Sequence, residues 1–196
     1  GAATSDPIPL EPYTHSLRKT IEFMGAEEKA RFRFVTKYND VDSLLDANHN
    51  NHTEIRFSIN TPKIIDIYEH YTASASKRIE AAVKVANAGY QIGFIIAPVF
   101  LYENWKDEYR DLIKSIKEKL PKDFNQSIIF EVISHRYTTK AKNRINEIYP
   151  ETTLPMNDDN RKFKYGQFGY GKYVYSKEEL DDMKDFFKKE IKEIFP

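Results

Sequence analysis

Two groups of residues carry the types and spacing that chemistry needs. The first is "RKFKYGQFGYGKYVY", residues 161–175, where Arg161, Lys162, Lys164 and Lys172 are interleaved with Phe163, Tyr165, Phe168, Tyr170 and Tyr173. Cations neutralise phosphates, rings stack on bases or wedge between them, and glycines let a backbone come close. A nucleic-acid contact and a plain amphipathic hairpin both fit such a run. The second group lies where apolar runs stop: Thr36 and Lys37, Ser58 and Asn60, Ala97 and Pro98, then Ser134, His135 and Arg136. Polar residues gathered at such exits suit a ligand face, although loop polarity alone produces part of the pattern.

Each candidate has a plainer reading beside it. Lys37 could clamp an anion or form a Schiff base, and the clamp requires nothing beyond its charge. His135 followed by Arg136 could face a phosphate or a base edge, or the histidine could simply pack. His49 and His52 in "NHNNH" have a spacing that could hold a metal, but acidic ligands are sparse nearby and the asparagines mark a turn. There is no P-loop, and "GQFGYG" lacks the preceding strand and following helix of a dinucleotide fingerprint.

Composition narrows the classes further. With Cys 0, these residues hold no disulfide, no cysteine nucleophile and no thiolate ligand for zinc or an iron–sulfur cluster. Lys+Arg 30 balance Asp+Glu 30, so any basic surface has to be local. No apolar run is long enough to span a bilayer and no secretory signal opens the chain, so a soluble, intracellular protein is expected. The first residues, Gly1-Ala2-Ala3, leave open that the stretch is the later part of a longer protein.

The elements that position these groups follow from hydrophobic periodicity. "RFRFVTKY" (31–38), "EIRFSIN" (54–60), "YQIGFIIAPV" (90–99) and "SIIFEVIS" (127–134) read as strands. "DVDSLLDA" reads as a short helix. "SASKRIEAAVKVANAG" reads as a helix capped by Ser74 or Ser76, and two more are stopped by Pro121 and Pro150. Strand–helix alternation predicts parallel strands with crossover helices, hence a doubly wound sheet or a barrel with ligands at the carboxyl ends of the strands. Beyond Pro150 the pattern predicts a hairpin within 157–176. An amphipathic helix then closes the chain, burying Phe186, Phe187, Ile191 and Ile194. No flexible linker divides residues 1–196, so a single domain is expected.

In order and spacing, "FVTKY", "LLDANHN", "RFSIN", "KRIEAAVKVANAGY", "GFIIAPVF" and "HRYTTKAKNRI", followed by a hairpin ending "GKYVY", resemble the spore photoproduct lyase family. The resemblance runs from about Ala2 to the last helix. It implies an α/β fold, the C-terminal part of a parallel partial (β/α) barrel of the radical S-adenosylmethionine (SAM) kind, with an added β-hairpin and C-terminal helix. It implies a DNA repair lyase that returns the thymine dimer spore photoproduct to two thymines, using SAM and a [4Fe–4S] cluster. Ser5, Lys37, Ser58 and Ala97 would lie around SAM, with Lys37 and Ser58 as polar contacts. The hairpin would face damaged double-stranded DNA, with His135, Arg136, Lys164, Gln167, Phe168, Tyr170 and Lys172 near the substrate. The implied protein is monomeric and works in the cytoplasm of the spore core.

The sequence also departs from the family pattern. The cluster's cysteine motif is absent from these residues, so this stretch taken alone is expected to be catalytically silent. Ala3 stands where the family's hydrogen-donating cysteine aligns, and "GQFG" replaces the usual "GRYG", putting Gln167 for arginine and Phe168 for tyrosine. A divergent or non-catalytic nucleic-acid-binding relative is therefore the rival expectation.

Overall fold

The computed structural model describes residue 1, residues 5–166 and residues 169–196. Seven α-helices occur among the described residues: α1 (Glu11–Thr14), α2 (Ser16–Ala26), α3 (Pro62–Tyr68), α4 (Ala75–Asn87), α5 (Trp105–Lys119), α6 (Thr139–Ile148) and α7 (Lys177–Ile194). The strands β1 (Phe32–Thr36), β2 (Thr53–Ile59), β3 (Gln91–Val99) and β4 (Ile129–Ser134) form one parallel sheet in the order β1-β2-β3-β4. Parallel neighbours need a crossover connection, which α3 and α4 supply between β2 and β3, and α5 between β3 and β4. The hairpin β5 (Lys162–Tyr165) and β6 (Gly171–Val174) forms a separate antiparallel pair.

Register aligns the apolar side chains in rows across the sheet. Phe34 lies beside Ile55 and Ile55 beside Ile92, while Phe57, Phe94 and Phe130 form the next row. Helices α4 and α5 cover this face with Ile79, Ala82, Val85, Leu112, Ile113 and Ile116, all buried. The opposite face is the more polar one by alternation, although Ile95 and Ile129 also lie on it. Arg56 donates to Glu54 at 2.7 Å and to Glu131 at 2.8 Å, joining β2 to β4 across β3. Gly93 on the intervening strand makes room, since a Cβ there would sit 2.9 Å from Glu54 Oε1.

Helix α7 begins at a capping box, with Ser176 and Glu179 satisfying each other's backbone N–H groups. Its Met183, Phe186 and Phe187 are buried, with Trp105 edge-on to Phe186 at 5.0 Å. Ile191 and Ile194 only flank that core, a smaller role than the spacing predicts. The short helix expected in "DVDSLLDA" is one 3-10 turn, Asp42–Leu44. Helices α1, α2 and α3 were not anticipated. Prolines sit in the first turns of α1 and α3, where they start helices rather than break them.

Because Phe187 fills a closed site between α5 and α7, Phe187→Ala should cost about 3–5 kcal/mol in equilibrium denaturation. Tyr13→Ala, at an exposed ring, should stay within about 0.5 kcal/mol of the parent. Equal losses for the two would contradict this packing.

Candidate active-site rim and hairpin

Parallel alignment brings every strand's carboxyl end to the same rim. Lys37 follows β1, Ser58 is next to last in β2, and Ala97 lies near the end of β3, joined to Pro98 by a cis peptide bond. Ser58 and Ala97 fall on the polar face by alternation. Asp6 ties down the end of β1, accepting from Thr36 Oγ1 at 2.8 Å and from the Lys37 backbone N–H at 2.8 Å. It thereby brings Ser5, its exposed neighbour, to this rim.

Lys37 is half-exposed, not buried, and its ammonium pairs with Glu69 at 3.1 Å. The same Glu69 oxygen accepts from Arg78 at 2.8 Å. Arg78 is fully buried and also donates to the Ser58 carbonyl at 3.0 Å. Asn60 is a different case. It is fully buried, donates to the Pro98 carbonyl at 2.8 Å and accepts from the Tyr109 hydroxyl at 2.8 Å. It is a brace between β2 and β3 rather than a ligand group. Burial at this brace pushes the Tyr109 phenol up, so it stays protonated and able to donate.

In the hairpin, the period of a strand sorts what the sequence interleaves. Phe163 pairs with Tyr173 and Lys164 with Lys172, so the rings of Phe163, Tyr165 and Tyr173 share one face and Lys162, Lys164 and Lys172 the other. Glycine is required at 171, because Phe163 lies directly over its Cα. Lys164 and Lys172 oppose each other directly, a pairing of like charges that costs stability without an anion beside it. Tyr170 is exposed beside the turn. Ala3, Gln167 and Phe168 lie outside the described residues.

The ring face locks the hairpin to the sheet. Tyr173 exchanges backbone hydrogen bonds with Tyr137 at 2.7 and 3.2 Å, and their rings stack at 5.3 Å. His135 stacks on Phe100 at 4.5 Å and lies 5.7 Å from Tyr137, continuing the stack back to the rim. Arg161 is a clamp rather than a free cation. It donates to the His135 carbonyl at 3.1 Å and the Pro155 carbonyl at 3.2 Å, and lies 3.6 Å over the Tyr175 ring.

His135 is thus buried within the joint, whereas Arg136 is exposed. Arg161 Nη2 approaches His135 Nδ1 at 3.2 Å, and because a guanidinium only donates, Nδ1 accepts and the proton sits on Nε2. His49 and His52 are spoken for at the other end of the sheet. His49 Nε2 meets the Ala88 carbonyl at 3.1 Å, and His52 Nδ1 meets the Met24 carbonyl at 2.9 Å. No metal-holding group of His, Asp or Glu occurs among the described residues, and no described helix is long and apolar enough to cross a membrane. Sequence reasoning missed Asp6, Glu69 and Arg78, whose partners lie far along the chain.

Burial, and then Arg161, push the His135 imidazole down to about 4 from 6.5. Between those values the unfolded chain binds more protons, so stability is full above pH 6.5 and falls as pH drops toward 4. The loss should reach about 3 kcal/mol. Asp158, held low by Lys142, loses its contribution only below its ordinary 3.8, outside that window. His135→Gln should therefore flatten the stability curve between pH 6.5 and 4 in urea titrations. An unchanged slope would mean that the imidazole is not held neutral.

The chain matches the family model described as spore photoproduct lyase across residues 1–196. It is 57% identical over 187 residues to spore photoproduct lyase of Clostridium acetobutylicum, covering 95% of this chain and 55% of that protein. With the Bacillus subtilis spore photoproduct lyase it shares 43% over 195 residues, covering 100% of this chain and 57% of that protein. A solved spore photoproduct lyase complexed with dinucleoside spore photoproduct matches with a TM-score of 0.94 at 44% identity, over 100% of this chain and 58% of that one. A mutant with bound AdoMet and dinucleoside spore photoproduct matches at 0.95 and 44%, with the same coverage. The chain therefore spans a little over half the length of these relatives, all of which are named lyases. Strand order, rim and a family match over the whole of residues 1–196 together make it a member of the spore photoproduct lyase family.

Proposed function

We propose that this chain is the C-terminal part of a DNA repair lyase that converts spore photoproduct in double-stranded DNA back to two thymines. On this reading the parallel sheet is a segment of a partial (β/α) barrel and residues 1–196 act as one unit within it. The observation that carries the reading is the gathering of Lys37, Ser58 and the Ala97–Pro98 peptide at one end of the sheet, with a cationic hairpin anchored to the same end. The C. acetobutylicum and B. subtilis relatives carry the name of this activity. The cytoplasm of the spore core is the compartment it implies.

The rim suits SAM. Lys37, Glu69 and Arg78 together carry one excess positive charge, and Lys37 is the most exposed of the three. Its ammonium can receive the methionyl carboxylate while the Ser58 hydroxyl and the backbone at Ala97 line the adjoining wall. SAM held there would, on receiving one electron from the cluster, supply the radical chemistry that abstracts hydrogen from the lesion. The [4Fe–4S] cluster does not fit these residues, which include no cysteine, so its ligands would come from elsewhere in a longer protein.

The hairpin's lysine face neutralises phosphates, and exposed Tyr170 beside the turn is available to stack on bases near an extruded lesion. The opposed Lys164 and Lys172 are relieved of their mutual repulsion when a phosphate lies between them. Arg136, exposed next to the buried His135, extends the cationic surface toward the rim.

Replacing Lys164 and Lys172 with alanine in the full-length protein should weaken binding to damaged duplex. It should also flatten the slope of log affinity against log salt by up to about two units. Tyr170→Ala should cost affinity with little change of slope. Fluorescence anisotropy at several salt concentrations measures both. An unchanged slope in the double lysine variant would make the hairpin purely structural.

A further inference from the structure

We propose that Glu69 is a positioning residue for Lys37, holding its ammonium at the rim in the direction that receives the carboxylate of SAM. The inference rests on the cofactor reading above and adds to it a residue outside the strand ends. Lysine has a long, flexible stem, and a half-exposed ammonium is useful only if something fixes it. Glu69 does so from the C-terminal end of α3, through Oε2 at 3.1 Å.

The carboxylate is itself immobile. Its side chain is 8% exposed, and its Oε2 is gripped at 2.8 Å by Arg78, whose side chain has no exposed surface. Arg78 also donates to the carbonyls of Ser58 and Ala73 and to Thr72 Oγ1. One buried guanidinium therefore sets both the backbone at Ser58 and the carboxylate that directs Lys37.

The geometry is poor for a purely structural ion pair. A buried Arg–Glu pair built for stability would use both carboxylate oxygens against the guanidinium fork. Here Arg78 and Lys37 share Oε2, while Oε1 is buried without a hydrogen-bond partner among the described residues. Such an unsatisfied acceptor costs stability and calls for a reason other than stability. Lys37 meets Glu69 as an ion pair at 3.1 Å, and an ammonium with three donors can serve an incoming carboxylate as well. Two cations and one anion leave the cluster net positive, so Glu69 directs Lys37 without cancelling the attraction.

The test is a double-mutant cycle on SAM affinity, measured by calorimetry on the full-length, cluster-loaded protein. Lys37→Ala gives the reference loss. Glu69→Gln should weaken SAM binding about tenfold in the parent. In the Lys37→Ala background it should change affinity by no more than about twofold, because Glu69 acts through Lys37. If Glu69→Gln leaves Arg78 too poorly paired to fold, Glu69→Asp keeps a charge beside Arg78 while drawing the carboxylate back from Lys37, and should reproduce the same pattern. Unchanged affinity in Lys37→Ala would overturn the cofactor reading itself. A loss in Lys37→Ala with none in Glu69→Gln, tighter binding in Glu69→Gln, or additive losses would overturn the positioning role alone.

Discussion

Parallel pairing of four consecutive strands is the constraint on which the other features depend. Every strand must return to the same starting side, so every carboxyl end, with the polar residue that follows it, arrives at one rim. The apolar rows of Phe34, Ile55 and Ile92, and of Phe57, Phe94 and Phe130, enforce this register, since a slip of one residue would turn each row toward the polar face. The Arg56 bridge from Glu54 to Glu131 reinforces it on that polar face and is possible only because β3 has glycine at its crossing point.

The hairpin is a second device fastened to the first. Its ring face docks through Tyr173, Tyr137 and His135 to Phe100 just beyond β3, and Arg161 closes the joint. That leaves the lysine face uncommitted. The separation divides labour: rings give the hairpin a fixed address relative to the rim, and cations are left for a partner. Neutral His135 belongs to the joint, since a second positive charge beside Arg161 would oppose it.

Much of this was legible in the sequence, for physical reasons that can be named. Branched and aromatic runs marked the four strands, and their alternation with helices predicted parallel pairing and the rim residues Lys37, Ser58 and Ala97. Family resemblance supplied the chemistry to expect there. The rest depended on partners distant in the chain. Nothing local tells that Arg161 is consumed by His135 and Pro155, that Asn60 is a buried brace, or that Glu69 and Arg78 stand behind Lys37. The sorting of rings from cations was within reach, because it follows from strand alternation alone. Helices α1 and α3, of 4 and 7 residues, are too short to show a helical period in the sequence.

The central claim is that the carboxyl ends of these strands form the cofactor face. Hydrogen–deuterium exchange on the full-length, cluster-loaded protein, with and without SAM, tests it most directly, because it reads backbone amides along every strand. Added SAM should slow exchange at residues 36–38, 58–61 and 96–99, and leave residues 28–32 and 88–91, at the opposite end, unchanged. Protection confined to the opposite end, or absent from the rim while SAM is bound, would contradict the account.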